Sequence, residues 1–360
     1  MSGDGSVVLD HRPDAERVDV TVGGDPFTTL RYGAAHTKPV LHPIRAPSGP
    51  AVTRGYPLDP QVGERVDHVH HVGSWLNYGH VNGHDLWNYA GDGPLADVED
   101  GGVVRVDGVD VTGRGEVAGD GDVAAEGDAT ATGDAATVET TATWVTPEGE
   151  QLREETTYGF GTTGDADGSA DATRTVDRTT TLTALDHDVE LHDDKEGLFA
   201  VRVATGLEHE TEGPTTRITS VDASATGEAA AESVAAVEAP EGDRPAGEYY
   251  TSAGARGEGA WGTRARWVRL AGEVSGEDVS LTVMDHPENP GHPAWWHARQ
   301  YGLFAANPLA PSVFSGGEFE PLDFELPAGE STTFRFRVDV DDGEPSGQEI
   351  EERWRAWARE

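Results

Sequence analysis

The chain has 360 residues, no cysteine, and 66 acidic against 26 basic residues, which gives a formal net charge of -40 at pH 7. The absence of cysteine excludes disulfides, thiolate metal sites and cysteine nucleophiles. Because phosphate contacts need clustered lysine and arginine, the charge also argues against nucleic-acid binding.

The acidic residues are spread along most of the chain, and only two basic residues are lysines, Lys38 and Lys195. This pattern is typical of a surface adapted to very high salt, where a Debye length of ~3 Å screens acidic neighbours from one another. We therefore expect a halophilic protein whose melting temperature rises steeply with KCl; a flat response would contradict this. The N-terminus lacks a signal-peptide pattern and no run approaches ~18 apolar residues, so we expect a cytoplasmic protein without a membrane partner.

The first elements are extended. Residues 18–31 predict two short strands around a Gly-Gly-Asp turn. Residues 38–57 contain five prolines, which disfavour a helix, and no acidic residue. The basic side chains of this segment (Lys38, His42, Arg45 and Arg54) either line a site for an anionic or polyhydroxylated ligand or are neutralised by acids elsewhere.

Residues 54–87 form a first histidine cluster, with five of the 14 histidines together with Trp75, Trp87 and Asn82. In an extended conformation His68 and His70 would point to one face and His71 to the other.

Residues 103–185 alternate β-branched and polar residues between turn signals, which predicts strands. Acidic low-complexity loops are predicted near 112–136, 161–172 and 222–247. Residues 278–284 predict a strand that leads into a second cluster, residues 285–307, with three more histidines. A C-terminal helix is predicted with Ser346 and Glu349 as a capping box, and Trp354 and Trp357 on its buried face.

These elements indicate a single all-β sandwich domain, residues 1–360, with a short C-terminal helix. Several of its motifs also resemble a known family, the one labelled "methane oxygenase PmoA". The motifs are KPVLHPIRAPSG, VTRGYP, DHVHHVGSWLNYGHVNGHDLWN, KEGLFAVR, MDHPENPGHPAWWHARQYGLFAANPL and the LPAGES turn.

The label implies copper-dependent methane hydroxylation, but that membrane enzyme needs transmembrane helices and this sequence predicts none. The resemblance also implies a galactose-mutarotase-like β-supersandwich and an association with carbohydrate use. One departure is His71-Val72-Gly73, where the family resemblance leads us to expect an arginine after the paired histidines.

We expect the two clusters to meet in one pocket that performs acid–base chemistry on a sugar or keto-sugar. His70 and His286 are the predicted proton-transfer pair and Asp285 orients them. Stacking surfaces would come from Trp75 and Trp296, and anchors from Arg54 and Asn82. The predicted pocket is lined by His42, Arg54, His68, His70, His71, Trp75, Asn82, Asp285, His286, Asn289, His292, Trp296, His297 and Tyr301.

Two alternatives remain open. His68, His70 and His286 could hold a divalent metal such as zinc, iron or manganese. The clusters could instead form a carbohydrate-binding platform, or a structural module, without turnover. The sequence does not identify the small-molecule or oligosaccharide ligand, the reaction or the oligomeric state.

Overall fold

The computed structural model describes residues 5–89, 100–113, 129–133, 135–163, 172–209, 215–222, 233–239 and 247–359. Two large antiparallel sheets dominate this part of the chain. The predicted all-β sandwich with a short C-terminal helix is therefore confirmed. The galactose-mutarotase likeness stays a prediction.

The first sheet has nine strands in the order β18-β19-β12-β5-β4-β3-β2-β1-β7. Their bounds are β1 (Val7–Arg12), β2 (Arg17–Val22), β3 (Asp25–Arg31), β4 (Val40–Ile44), β5 (Ser74–Leu76), β7 (Ala129–Gly133), β12 (Phe199–Arg202), β18 (Trp295–Ala298) and β19 (Leu303–Asn307).

The second sheet has eight strands in the order β15-β16-β17-β21-β10-β9-β8-β6. Their bounds are β6 (Val103–Gly113), β8 (Ala135–Thr146), β9 (Gly149–Thr163), β10 (Thr173–Ala184), β15 (Glu248–Thr251), β16 (Trp267–Val274), β17 (Glu277–Asp285) and β21 (Ser331–Asp342).

Two small two-stranded sheets complete the strands, β11 (Val189–Leu191) with β20 (Phe324–Leu326) and β13 (Thr215–Val221) with β14 (Val234–Ala239). The helices are short: α1 (Pro311–Ser315), α2 (Gly347–Trp357) and 3-10 turns at Pro13–Ala15, Thr205–Leu207 and Gly257–Ala260.

The main hydrophobic core lies between the two large sheets. In β12, Phe199 and Val201 enter this core, as Phe334 and Phe336 do in β21. Since successive side chains of a strand point to opposite faces, the residues between them lie on the outer faces. Each fully buried large apolar side chain contributes about 1.5–3 kcal/mol. The sandwich thus leaves one outer face on each sheet, and each carries one of the groups described below.

The C-terminal helix α2 begins as predicted. Ser346 is the N-cap, and its side chain accepts from the Glu349 backbone N–H while the Glu349 carboxylate accepts from the Ser346 N–H. Trp357 is buried with Ile350 against Trp267, on the outer face of the eight-stranded sheet. The helix therefore covers that face.

Three loop predictions change in detail. Ala129–Gly133 and Val234–Ala239 lie within the predicted acidic loops but form β7 and β14, because their alternating small and β-branched residues suit strands. Strand β9 also runs to Thr163, into the loop predicted from 161. The remainder of the loops, 114–128, 164–171, 223–232 and 240–246, falls outside the described residues. No helix among the described residues is long and apolar enough to cross a membrane.

Candidate functional site

The histidine-bearing loop, residues 65–72, is a turn and not the extended segment that we expected. The His71 N–H donates to the His68 carbonyl at 2.9 Å, and His68 has a left-handed φ of 42°. The turn places His68 and His71 on one side, with their rings stacked 4.8 Å apart. The Tyr301 ring also stacks on His68, with the two centroids 4.7 Å apart, and its centroid is 6.4 Å from that of His71.

Arg54 holds this loop in shape. Its guanidinium is fully buried and donates to the carbonyls of Asp67 (2.9 Å), His68 (2.9 Å) and His71 (3.0 Å). It also binds the Asp67 carboxylate at 2.7 Å, which Arg202 binds from the nine-stranded sheet at the same distance. Because these donors are occupied, Arg54 positions the loop and is not the free substrate anchor that the sequence suggested.

Asp67 is ionised within this network. Burial alone would raise its pKa, but the hydrogen bond with His68 and the charges of Arg202 and Arg54 hold that pKa well below its usual range. A carboxylate bound by two guanidinium groups is a poor proton acceptor. Asp67 therefore fixes the loop on the sheet.

His71 is also a positioning residue. The Trp87 indole N–H donates to His71 Nε2 at 3.2 Å. Since an indole can only donate, Nε2 is the acceptor of this bond, and the Arg202 guanidinium lies 3.4 Å from the other ring nitrogen, Nδ1. Burial, followed by the nearby His70, lowers the pKa of His71 well below its usual value. Its ring stacks on Trp75 at 5.3 Å and links the loop to the sheet.

A row of four paired residues crosses the outer face of the nine-stranded sheet. Trp75 in β5 lies opposite Ala200 in β12, Ala200 lies opposite Ala305 in β19, and Ala305 lies opposite His297 in β18. Directly opposed residues point to the same face of a sheet. The two alanines keep the middle of the row low, and Tyr301 packs against the same cluster.

Several buried ring nitrogens around this row have no hydrogen-bond partner among the described residues. They are Trp75 Nε1, His70 Nε2 and the two nitrogens of His297, which has the Lys195 backbone and, at 3.7 Å, the Glu196 carboxylate nearby. Trp75 and His297 are almost completely buried, at 0% and 1% exposure. Burial, followed by nearby cations, lowers the pKa of His70 and of His297 to about 3. Both imidazoles are therefore neutral, with one donor and one acceptor each.

Both lysines of the chain lie in this region. Lys38 is buried, donates to the His70 carbonyl at 3.0 Å and lies 5.5 Å above the Trp75 ring. Burial lowers the pKa of Lys38 to about 7. Lys195 pairs with Glu196 at 2.5 Å, and the Glu196 carboxylate is 3.7 Å from His297 Nδ1. We call the group Lys38, His68, His70, Trp75, Glu196, His297 and Tyr301 the sheet-face site.

Most of the second cluster lies elsewhere. The buried Asp285 carboxylate accepts from His292 Nδ1 (2.7 Å), Asn289 Nδ2 (2.7 Å) and the Ala294 N–H (2.8 Å). The His286 ring packs edge-on against Trp357 of α2 at 5.0 Å. Asp285 ends β17 of the eight-stranded sheet, the other four residues lie in the loop that follows it, and Trp357 lies in the helix that covers that sheet. The structure thus does not bring His286 and Asp285 to His70, which corrects the predicted proton-transfer pair.

Three further residues of the predicted pocket lie elsewhere in the structure. Trp296 points into the main core and donates to the Ala265 carbonyl at 2.9 Å, because the alternation of β18 sends His297 outward instead. Asn82 ties its turn to Gln151 (2.9 Å) and to the Glu190 N–H (2.8 Å). His42 lines a separate cavity. Of the second cluster, the sheet-face site gathers His297 and Tyr301.

The predicted metal set is not assembled. In the described part of the chain, a group of three histidine and carboxylate side chains whose ligand atoms all lie within 4.8 Å of one another is formed by Glu190, His192 and Asp323, not by His68, His70 and His286. His192 Nδ1 is 2.9 Å from the Glu190 carboxylate, and the His80 ring packs 4.3 Å from His192. This group is partly exposed, and the ion pair between His192 and Glu190 accounts for the short distances within it.

Sequence reasoning missed Asp67, Glu196 and Arg202. Arg202 and Glu196 lie in the motif KEGLFAVR, outside both histidine clusters. The scarcity of lysine was the available signal, since Lys38 and Lys195 flank the site from two distant segments in a chain that otherwise uses arginine.

The fold and site define an all-β sandwich protein with a polar, aromatic site on the outer face of one sheet. The chain belongs to a family of unknown function, DUF6807, whose model matches residues 17–355. Comparison with curated proteins gives no match. The family match assigns no activity to the chain and does not support the methane oxygenase label.

Proposed function

We propose that the sheet-face site binds a sugar or keto-sugar and moves a proton on it. The observation that supports this most is the set of buried nitrogens on Trp75, His70 and His297 without partners among the described residues. A buried polar group without a partner costs about 1–3 kcal/mol. A ligand rich in hydroxyl groups would supply both the donors and the acceptors that these rings lack.

Lys38 replaces His70 as the proposed proton-transfer group. With a pKa of about 3, His70 is too weak a base near neutral pH and serves as a neutral hydrogen-bonding group. Lys38 has a pKa of about 7 because it is buried, so a large fraction of its amine is neutral at physiological pH. A neutral amine in a buried site can take a proton from a sugar hydroxyl or from the carbon beside a carbonyl.

The remaining side chains have positioning roles. Burial is the main reason that the pKa of Tyr301 is raised, so its hydroxyl stays protonated and can donate. Trp75 offers an indole N–H and His297 a neutral imidazole at the two ends of the row. Asp67, Arg54 and Arg202 hold the loop that carries His68 and His70.

The test is proton exchange in D2O at high KCl with a panel of aldoses, ketoses and keto-sugar acids, followed by NMR, with polarimetry for anomer interconversion. Lys38→Met is expected to abolish exchange while binding persists. The wild-type rate should rise with pH through about 7, because the neutral amine is the active form.

His286→Asn is the matched control, because the structure places His286 under α2. It should keep the wild-type rate, whereas His70→Asn should weaken binding. Equal loss of exchange in the Lys38 and His286 variants would contradict the proposal, and so would the absence of exchange with every member of the panel.

A binding site without turnover is the second candidate. It is favoured by the contacts that Lys38 already makes as a cation, a hydrogen bond to the His70 carbonyl and a position over the Trp75 ring. For such a module, Lys38→Met and His70→Asn would lower binding in parallel and no sugar would exchange protons.

A further inference from the structure

A cavity of about 680 Å³ lies apart from the sheet-face site and shares no residue with it. It is bounded by residues of the 42–64 segment, by the turn at residues 204–206 and by the hairpin at 273–275 between β16 and β17. We call it the His42 cavity. Its volume is in the range of small-molecule sites, which hold about 300–1,000 Å³.

The backbone around Arg54 separates the two sites. Thr53 and Gly55 line the His42 cavity, whereas Arg54 between them reaches the loop with Asp67 and His71. Alternate residues of an extended segment point in opposite directions. The same short segment therefore supplies one wall of the cavity and the support of the histidine-bearing loop.

Two buried polar atoms of the cavity lining have no partner among the described residues, His42 Nε2 and Thr205 Oγ1. His42 is only 1% exposed, and its other ring nitrogen is 3.5 Å from Thr53 Oγ1. Burial and nearby arginines lower the pKa of His42 to about 3, so the imidazole stays neutral. Neutral groups that both donate and accept match hydroxyl groups better than ions.

The charges of the lining disfavour an anion. The carboxylates of Asp59, Glu64 and Glu273 line the cavity together with one guanidinium, Arg45. Glu64 already accepts the N–H groups of Gly55, Tyr56 and Gln61 at 2.6–2.9 Å, so it offers little to a cation. No phenylalanine, tyrosine or tryptophan occurs among the described residues of the lining, so a planar base would have only the His42 imidazole to stack on.

We infer that the His42 cavity is a second binding site, which takes a neutral polyhydroxylated molecule such as a sugar or polyol. His42 and Thr205 are its hydrogen-bonding residues. This inference does not depend on the proposed function of the sheet-face site.

The experiment is calorimetric titration of the full chain at high KCl. The neutral probes are glucose, galactose, mannose, trehalose and glycerol; glucuronate and glucosamine are charged counterparts of glucose. At least one neutral probe should bind, and glucuronate should bind more weakly than glucose. Thr205→Val keeps the side-chain shape but removes the hydroxyl, and it should weaken that binding about tenfold. His42→Phe should act in the same direction.

The variant His70→Asn separates the two sites, because it alters only the sheet-face site. Neutral-probe binding that persists in His70→Asn and weakens in Thr205→Val supports the second site. Binding that is unaffected by both Thr205→Val and His42→Phe overturns it, as does tighter binding of glucuronate than glucose. The absence of binding by every neutral probe also overturns it, whatever the proton-exchange experiment shows.

Discussion

The outer faces of the two sheets carry similar residues but differ in how the ring nitrogens of their histidines and tryptophans are paired. On the eight-stranded sheet, Asp285 accepts three hydrogen bonds, and Trp267 Nε1 donates to Glu351 at 3.0 Å. On the nine-stranded sheet, the corresponding ring nitrogens of Trp75 and His297 have no partner among the described residues. We therefore propose a binding site only where the ring nitrogens of clustered histidines and tryptophans remain unpaired.

The largest effect is expected at Asp285, because both of its carboxylate oxygens accept hydrogen bonds. Asp285→Ala removes the acceptor of His292 Nδ1, Asn289 Nδ2 and the Ala294 N–H. Loss of a buried charged partner of this kind costs about 3–5 kcal/mol. The measurement is the free energy of unfolding from denaturant titration at molar KCl.

The neighbouring Glu288→Ala is the control, because Glu288 is 69% exposed and pairs with Arg335 at the surface. It should change the free energy of unfolding by less than about 0.5 kcal/mol. Equal changes in the free energy of unfolding for the two substitutions would contradict the structural role that we assign to Asp285.

The second-largest expected effect is a pH dependence of stability that comes from Lys38 in the sheet-face site. The pKa of Lys38 is about 7 in the folded protein because of burial, whereas an unfolded lysine keeps its ordinary value of about 10.4. Between these values the unfolded chain binds more protons, so stability rises with pH through this window. From pH 7 to 9 we expect Lys38 to contribute a gain of about 2 kcal/mol.

Lys38→Met should remove that gain, which is measured as the difference between wild type and variant in unfolding titrations at pH 7, 8 and 9. A constant difference across this range would show that Lys38 keeps its ordinary pKa, and the proposed proton transfer would lose its base.

The smallest effect compares two tryptophans directly. Trp267→Phe deletes a hydrogen bond to Glu351, while Trp75→Phe deletes an N–H without a partner among the described residues. Both substitutions remove similar volume, so Trp267→Phe should cost about 1 kcal/mol more stability. Ligand binding should respond in the opposite order, because Trp75→Phe should weaken it and Trp267→Phe should not. If Trp75→Phe were the more destabilising of the two, its indole would have a protein partner after all.

Local sequence patterns predicted the elements that depend on local chemistry. The capping box of Ser346 and Glu349 and the turn at Gly23–Gly24 between β2 and β3 are set by nearby residues, and both are confirmed. The outward position of His297 and the inward position of Trp296 depend on which face of β18 meets the core. All four residues of β18 are buried, so the strand has no alternation of buried and exposed positions that would reveal this.

The sequence predicted only part of the site, and the reason is similar. His68, His70, His71, Trp75 and Tyr301 are close together in the structure, across more than 200 residues of sequence, and His297 lies on the same sheet face at the far end of the row. Asp285 and His286 looked equally suitable, but β17 belongs to the other sheet, and strand order between sheets is a long-range property. Arg54 looked like an anchor because its partners, the carbonyls of the loop, cannot be identified from side-chain types.

The row from Trp75 to His297 fixes a dimension of the molecule. Three strand intervals separate these residues, so the backbone holds them about 14 Å apart regardless of the side chains between them. Ala200 and Ala305 are fully buried, so they determine how closely the residues that cover the row pack against it. A single added methyl group there would crowd that packing without changing the span of the row, so packing and length can be altered independently by substitution.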